Sequence, residues 1–301
     1  MPMMTRREWH TLVGGSLLAA PLARMTNLSA RDSTIAGVRI GVQSYSFRDL
    51  PLDDAIAGMK QIGIGYCELW SDHVETPEAI GKPAEGAARR EALRAWRLKV
   101  PLDVFRDVRS KFDRAGVVLT AYNLSFKDDF TDEEIQRGFE MGRALGVPVI
   151  TASGNVTTAR RVDPLAQRYG IKVAFHNHSD IKSNEFATSD DFAAAMKGAS
   201  EMIAINLDIG HFTAAGFDAV AFLDSHHDRI VSLHIKDRKR NQGDNVPFGE
   251  GDTPIKAVLQ RLRDRKWQIP AHIEYEYKGT DTVTEVRRCF EYCRQALTGA
   301  P

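Results

Sequence analysis

The sequence predicts a single α/β domain closed into a barrel of eight parallel strands, a (β/α)8 TIM barrel, over residues 37–301. Three observations predict it. Eight short, β-branched runs alternate with eight stretches of helical pattern. No glycine-rich phosphate turn follows the first run, which favours a closed barrel over an open nucleotide-binding sheet. Four later runs, VAFHNH, INLDIGH, SLHIK and HIEYE, end in metal-binding side chains, and their positions lie 32, 26 and 40 residues apart. That is about one strand-plus-helix unit per step, so the side chains can converge at one end of a barrel.

Composition allows this. The chain has 301 residues, 43% hydrophobic and 27% charged, enough for one barrel of about 250 residues. Its 40 basic and 40 acidic side chains cancel, which removes any general electrostatic case for nucleic acid or an anionic membrane. Cys67, Cys289 and Cys293 make no disulfide framework, and the last two, four apart in a helical pattern, share a face as small core residues.

Residues 1–36 read as a twin-arginine-type export signal and its linker. Arg6 and Arg7 precede LVGGSLLAAPLA, which is apolar but too short for an ordinary membrane span. The expectation is an exported, periplasmic protein that folds, and takes up any metal, before it crosses. A cytoplasmic protein with an amphipathic leader is the alternative.

The elements follow in order. A strand at 38–46 leads to a helix at 53–62, opened by Asp53-Asp54 and stopped at Gly63. The second strand, 64–70, is followed by the longest connection, Trp70 to about Ala88, and a helix at 88–114 that stops before Gly116. A strand at 117–124 precedes a helix at 131–145, with Thr131 at its start and Gly146 after its end. Strands at 148–153 and 171–178 flank a helix at 157–169, and Thr188-Ser189-Asp190-Asp191 opens the helix at 189–198. Strands at 203–209, 230–236 and 270–276 alternate with helices at 217–227, 254–265 and 282–297. The runs are nearly continuous in hydrophobicity, as parallel strands buried on both faces require. Two long loops, Trp70–Ala88 and the polar, glycine-containing Asp237–Asp252, are candidates for closure over a substrate.

The period of two along a strand sorts the reactive side chains. His176 and His178 point to one side and Asn177 to the other, and either histidine can bind a metal through a neutral imidazole. Asp208, at the mouth of an apolar strand, is costly to bury without a cation or hydrogen-bond partners, although it can also cap a turn near Gly210 and His211. His234 and Lys236 share a face, where Lys236 either faces a developing oxyanion or simply leaves the barrel. His272, Glu274 and Glu276 alternate on one face, so this strand is expected to turn toward solvent or metal near Glu274. Glu274 is the favoured ligand with Glu276 behind it, and the reverse stays open. Glu68 can serve as a base, accept a sugar hydroxyl or support a ligand. Tyr45, Trp70, Tyr122 and Phe248 can stack on a sugar ring or pack the core. Mixed histidine and carboxylate donors suggest one divalent ion, Mn, Co, Mg, Fe or Zn, able to polarise a carbonyl.

On the ordered set HNH, DIGH, HIKD and IEYE, residues 38–297 resemble the xylose-isomerase-like barrel superfamily of sugar isomerases, ketose epimerases and inosose dehydratases. The resemblance implies that His176, Asp208, His234 and Glu274 hold the metal and that His211 touches substrate. It also marks a departure. The family's first ligand is usually a glutamate, and its epimerases exchange protons between two opposed glutamates, of which only Glu274 is present here. A histidine at the first position resembles the branch of inosose dehydratase-like and 3-keto-glycoside-cleaving proteins. The expected function is removal of a proton α to the carbonyl of an unphosphorylated keto-sugar or keto-glycoside, followed by β-elimination. The expected catalytic residues are Glu274, His178, Glu68 and Lys236, with His211, Glu276, Trp70 and Asn123 on the substrate. Isomerisation or epimerisation through the same enolate is one alternative, and a non-catalytic sugar-binding barrel is another. The expected partner is a small sugar or glycoside, with no nucleic acid and no stable membrane span, and homo-oligomerisation stays open. The superfamily's three-metal DNA endonucleases need further ligands where this chain has Asn123 and Ser232.

Overall fold

Alternation along the strands decides the architecture of the computed structural model, which describes residues 32–82 and 85–299. The paired arginines and the apolar run of the leader lie outside the described residues. In β1 (Val38–Gln43), Val38, Ile40 and Val42 are almost inaccessible among apolar neighbours, while Gly41 and Gln43 take the opposite face. Seven strands follow: β2 (Tyr66–Trp70), β3 (Val118–Asn123), β4 (Val149–Ala152), β5 (Lys172–His176), β6 (Ile203–Asp208), β7 (Ile230–Ile235) and β8 (Ala271–Ile273). Each pairs in parallel with the next. β8 returns to β1 through Ile40↔Ala271, Gly41↔His272 and Val42↔Ile273, which closes the barrel. A short strand, Thr34–Ile35, folds back antiparallel on the start of β1.

Helices surround this barrel: α1 (Leu52–Ile62), α2 (Ala87–Lys99), α3 (Asp103–Ala115), α4 (Asp132–Leu145), α5 (Ala159–Tyr169), α6 (Ser189–Met196), α7 (Ile209–Ala214), α8 (Ala219–His226), α9 (Ile255–Arg265) and α10 (Thr282–Thr298). The helical pattern at 88–114 is two helices rather than one. Pro101 forces Val100 into an extended conformation, φ −58° and ψ 131°, and the chain restarts at Asp103. The eighth strand is shorter than its pattern suggested, ending at Ile273, so Glu274 and Glu276 lie on the chain leaving the barrel. Gly63, Gly116, Gly146 and Gly170 are all left-handed helix caps. Thr188 and Asp191 form a reciprocal capping box at α6.

The apolar core lies between strands and helices. Phe175 on β5, for example, is fully buried and stacks on Phe186 with ring centroids 4.7 Å apart. Cys67, Cys289 and Cys293 are free thiols in this layer. The barrel interior is different: Gly41, Glu68, Thr151, Asn206, Ser232 and His272 occupy it, and all the side chains are buried. Gly41 is needed there, because a Cβ would stand 2.7 Å from His272 Cδ2 and 2.9 Å from the Tyr66 carbonyl oxygen. On the outside, Arg97 grips Glu75 with two hydrogen bonds of 2.7 and 2.6 Å and reaches Glu134 at 2.9 Å. This buried network ties the root of the long β2–α2 connection to α2 and α4. No helix among the described residues is long and apolar enough to cross a membrane.

Candidate metal centre at the barrel mouth

Strand register brings the reactive side chains to one level. Asp208 pairs with His234 and His234 with His272, while His176 pairs with Asn206, two residues before Asp208. Each inward ligand position is therefore the last or next-to-last residue of its strand, or, for Glu274, the first beyond it. One donor atom from each of His176, Asp208, His234 and Glu274 lies within 4.8 Å of the others, and all four residues are buried.

Three of the four donors have a partner that aims them. His176 Nδ1 lies 3.2 Å from Ser153 Oγ, which leaves Nε2 toward Asp208 Oδ2 at 3.3 Å. His234 Nε2 lies 3.0 Å from Glu68 Oε1, which leaves Nδ1 toward the cluster, 3.0 Å from Glu274 Oε2 and 4.0 Å from Asp208 Oδ2. Asp208 divides its carboxylate: Oδ1 accepts the His211 backbone N–H at 2.6 Å and caps α7, and Oδ2 faces the cluster. The cap and the ligand-like position are thus two oxygens of one side chain. Asn177, pointing the other way, locks β5 to β6 by donating to the Asp208 carbonyl at 3.1 Å and accepting its N–H at 3.0 Å.

Two buried atoms in the cluster, His234 Nδ1 and Glu274 Oε2, have no hydrogen-bond partner despite their close approach. A contact of 3.0 Å without hydrogen-bond geometry leaves His234 Nδ1 without a directed partner and Glu274 Oε2 with only the charge of Lys236 beside it, which is costly in a buried site. A cation between them would satisfy both. Two imidazoles and two carboxylates, with the other donor atom of His176, His234 and Asp208 already held by Ser153, Glu68 and backbone, are a donor set suited to a divalent metal centre. The residues present fit such an ion.

Lys236 supplies positive charge beside this cluster. Its Nζ lies 3.1 Å from Asp208 Oδ2, 2.9 Å from Glu274 Oε2 and 2.5 Å from Glu276 Oε2. Burial works against its charge, but Asp208, Glu274 and Glu276 outweigh it and hold its pKa well above the usual range. Burial likewise works against ionised Glu274 and Asp208. Lys236 and His234 outweigh it for Glu274, and Lys236, His211 and His176 do so for Asp208, so both carboxyls stay ionised. Gly210 makes room for the lysine, since a Cβ there would overlap Lys236 Cγ.

His211 stands between two cations. Its Nε2 is 3.0 Å from Lys236 Nζ and its Nδ1 is 2.7 Å from an Arg238 guanidinium nitrogen. A neutral imidazole carries one N–H, so it can accept from only one of them. Burial, then Lys236, pushes its pKa well down. His178 is solvent-exposed at the mouth, 5.0 Å from the His176 ring and 5.2 Å from the His211 ring, centroid to centroid. Although part of its side chain meets solvent, desolvation by the protein packed around the rest, then His176 and Lys236, pushes its pKa down to about 4.

Two expectations need correction, and the aromatic residues divide between the core and the mouth. Glu68 is no base at the mouth. It is fully buried, its Oε1 accepting from Thr151 Oγ1 at 2.7 Å and meeting His234 Nε2, and its Oε2 lies 3.5 Å from Ser232 Oγ, so it acts through His234. It sits a full period below the mouth. Asn123 is buried and donates to Thr151 Oγ1 at 3.2 Å, which makes it part of the support for Glu68 rather than a surface for substrate. Tyr122 is fully buried against Phe105, ring centroids 6.1 Å apart, in the layer outside the barrel. Phe248 packs on Tyr292. Trp70 and Tyr45 do border the mouth, edge to face at 5.0 Å, and Tyr45 feels the charges of Glu276 and Glu274.

Sequence reading missed Ser153, Thr151, Asn206, Ser232 and Arg238. A signal existed for three of them: Thr151, Asn206 and Ser232 lie at even steps before Ser153, Asp208 and His234, where the period of two points inward.

Comparison with known proteins gives one family. The profile of the xylose isomerase-like TIM barrel matches residues 56–295. A probable L-ribulose-5-phosphate 3-epimerase of Mycoplasma pneumoniae is 30% identical over 256 residues, 81% of this chain and 76% of that protein. An inosose dehydratase of Lactiplantibacillus plantarum is 27% identical over 153 residues, 44% of this chain, and the match spans half the length of that relative, 50%. The crystal structure of a 3-keto-D-glucoside 4-epimerase from E. coli is similar in fold, with a TM-score of 0.65 at 14% identity over 86% of this chain and 99% of that one.

Proposed function

Because this chain belongs to the xylose isomerase-like TIM barrel family, we propose that it is a divalent-metal-dependent carbohydrate enzyme that removes a proton α to the carbonyl of an unphosphorylated keto-glycoside and expels the β-substituent. His176, Asp208, His234 and Glu274 would hold the ion. The chemistry such an ion supplies is polarisation of a substrate carbonyl, which acidifies the neighbouring C–H.

The observation that carries the reading is the inequality of the proton-accepting groups on the two sides of the centre. The first position of the ligand set, at the end of β5, is an imidazole, His176, with a second imidazole, His178, open beside it, and Glu68 is sealed below. An open imidazole on one side and carboxylates committed to Lys236 on the other suit a single proton removal better than a symmetrical exchange between two free carboxylates. In a 3-keto-glycoside, a ring nitrogen of His178 takes the C2 proton, and the C–H electron pair becomes the C1–C2 double bond as the anomeric C1–O bond breaks. The departing alkoxide then takes up the proton that His178 holds, giving a 1,2-unsaturated 3-keto-sugar and a free alcohol. Lys236 faces the negative charge that develops on the carbonyl oxygen, and His211 and Glu276 hold hydroxyls. Lys236 and Arg238 are already engaged, by carboxylates and by Gly243, Ser179 and His211, which supports a substrate without phosphate.

A second reading is epimerisation, favoured by the partly exposed Glu276 carboxylate on Lys236 as another proton acceptor. Metal-loaded protein with a 3-keto-glycoside in deuterated water separates the two: aglycone release supports elimination, and deuterium in an intact glycoside supports epimerisation. Neither, in metal-loaded protein, would leave a sugar-binding barrel. Export through the twin-arginine leader is part of the proposal, and residues 1–36 fused to a folded reporter should carry it to the periplasm.

A further inference from the structure

Trp70 belongs to two spaces. It shares the inward parity of Glu68 on β2 and meets Tyr45 at the barrel mouth, and its ring also lines a cavity of 690 Å³ between the β1–α1 turn and the β2–α2 connection. Leu50, Pro51, Leu52 and Pro77 give that cavity apolar walls. Its shape is set in advance. His73, buried behind it, lies 2.9 Å from Ser44 Oγ and 3.2 Å from the Leu50 carbonyl oxygen, fastening the two segments together.

Charge says what the cavity would take. Arg89 is neutralised by Asp72 at 2.6 Å, and Arg48 is drawn to the Tyr275 carbonyl at 2.8 Å with its guanidinium 4.8 Å from the Tyr45 ring centroid. Asp49, Glu85 and Glu78, the last paired with Lys82 at 3.6 Å, also line the space. With Asp72, four carboxylates stand against two guanidiniums, so a phosphate or nucleotide would meet net negative charge. A neutral, flat group would meet an indole and aliphatic side chains.

We infer that this cavity is the leaving-group subsite of the proposed reaction and that it takes a neutral aryl aglycone, so the substrate is an aryl glycoside rather than a free keto-sugar. The inference rests on the reading of the barrel mouth given above. Trp70 joins the mouth to the cavity, so an anomeric substituent directed past it from a sugar ring at the metal centre would fill that space.

Steady-state kinetics of the metal-loaded full chain on methyl, phenyl and glucosyl 3-keto-β-glucosides test it, with Leu50→Asp beside the wild type. An aryl contact of this kind predicts a phenyl KM about tenfold below the methyl one, with Leu50→Asp closing most of that gap. Equal methyl and phenyl KM values, or a gap that Leu50→Asp leaves intact, overturn the subsite while the reaction stands. Preference for the glucosyl compound overturns the aryl class. Pro77→Asp, on an exposed wall, replaces Leu50→Asp if the latter does not fold. If none of the compounds releases its aglycone, the reaction reading fails and tryptophan fluorescence decides the cavity alone. Saturable quenching by phenyl β-glucoside that the variant weakens supports the subsite, and no quenching overturns it.

Discussion

The two faces of each barrel strand are buried alike and built from opposite chemistry. Outward, Ile40, Leu69, Ile150, Phe175, Leu207 and Leu233 pack against helices with almost no exposed area. Inward, Glu68, Thr151, Asn206, Ser232 and His272 fill the same strands' other side, equally inaccessible. An apolar layer gains stability in proportion to area, whereas a polar interior merely avoids a penalty, and only if its groups are paired. The outer layer therefore supports the fold, and the interior is left to shape the mouth. Pairing lapses inside the barrel at Asn206 Oδ1, His234 Nδ1 and Glu274 Oε2, and two of these three atoms belong to the proposed metal centre.

The contrast can be broken from either side. The largest expected effect is on chemistry: Asp208→Asn keeps an N-cap for α7 but removes a ligand charge. It should lower the rate of aglycone release about a thousandfold, while circular dichroism stays native. A mutant that loses its fold instead would mean the interior is structural first. Phe175→Ala is the mirror experiment, expected to cost about 3–5 kcal/mol in urea unfolding with turnover per folded molecule unchanged. Glu68→Gln lies between them. Weakening the acceptor behind His234 should reduce metal affinity about 10- to 100-fold by competition with a chelating dye, with a smaller change in melting temperature than Phe175→Ala. The smallest effect concerns a charge in the outer layer. Burial opposes ionisation of Glu285, but hydrogen bonds from Thr280, Tyr277 and Arg288 pull its pKa from 4.5 down to about 2. Its contribution to stability is present above pH 4.5 and fades as pH falls toward 2, so Glu285→Gln should flatten the melting curve over that window and nowhere else.

The same contrast explains what could be read from the chain. Strand order, the glycine stops and the convergence of the four strand ends follow from local period and spacing, whereas the choice of His176 over His178 comes from the family resemblance. The break at Pro101 was legible too, since a residue before proline leaves the helix, but a long helical pattern on both sides masked it. Depth was not legible. Glu68 and Glu274 both end apolar runs, yet one lies a period below the mouth and the other at it, and only the stagger of a closed barrel separates them. Ser153 and Thr151 gain their roles from partners on other strands, which no window along the chain contains. Trp70 read as one of four aromatic residues until the turn after β1 gave it a cavity to line.

Asp237, directly after Lys236, accepts backbone N–H groups from Gly249 at 2.8 Å, Gly251 at 3.0 Å and Thr253 at 3.2 Å. One buried carboxylate thus clamps the far end of the loop that follows His234. Across the mouth, the β2–α2 connection is held at its root by Glu75, and Pro77, Glu78 and Ala79 beyond it are exposed. Amides at 249, 251 and 253 should therefore exchange with solvent slowly, and those near 78–79 quickly. The loop after His234 is thereby fastened as one wall of the mouth, and Trp70 borders the more exposed side.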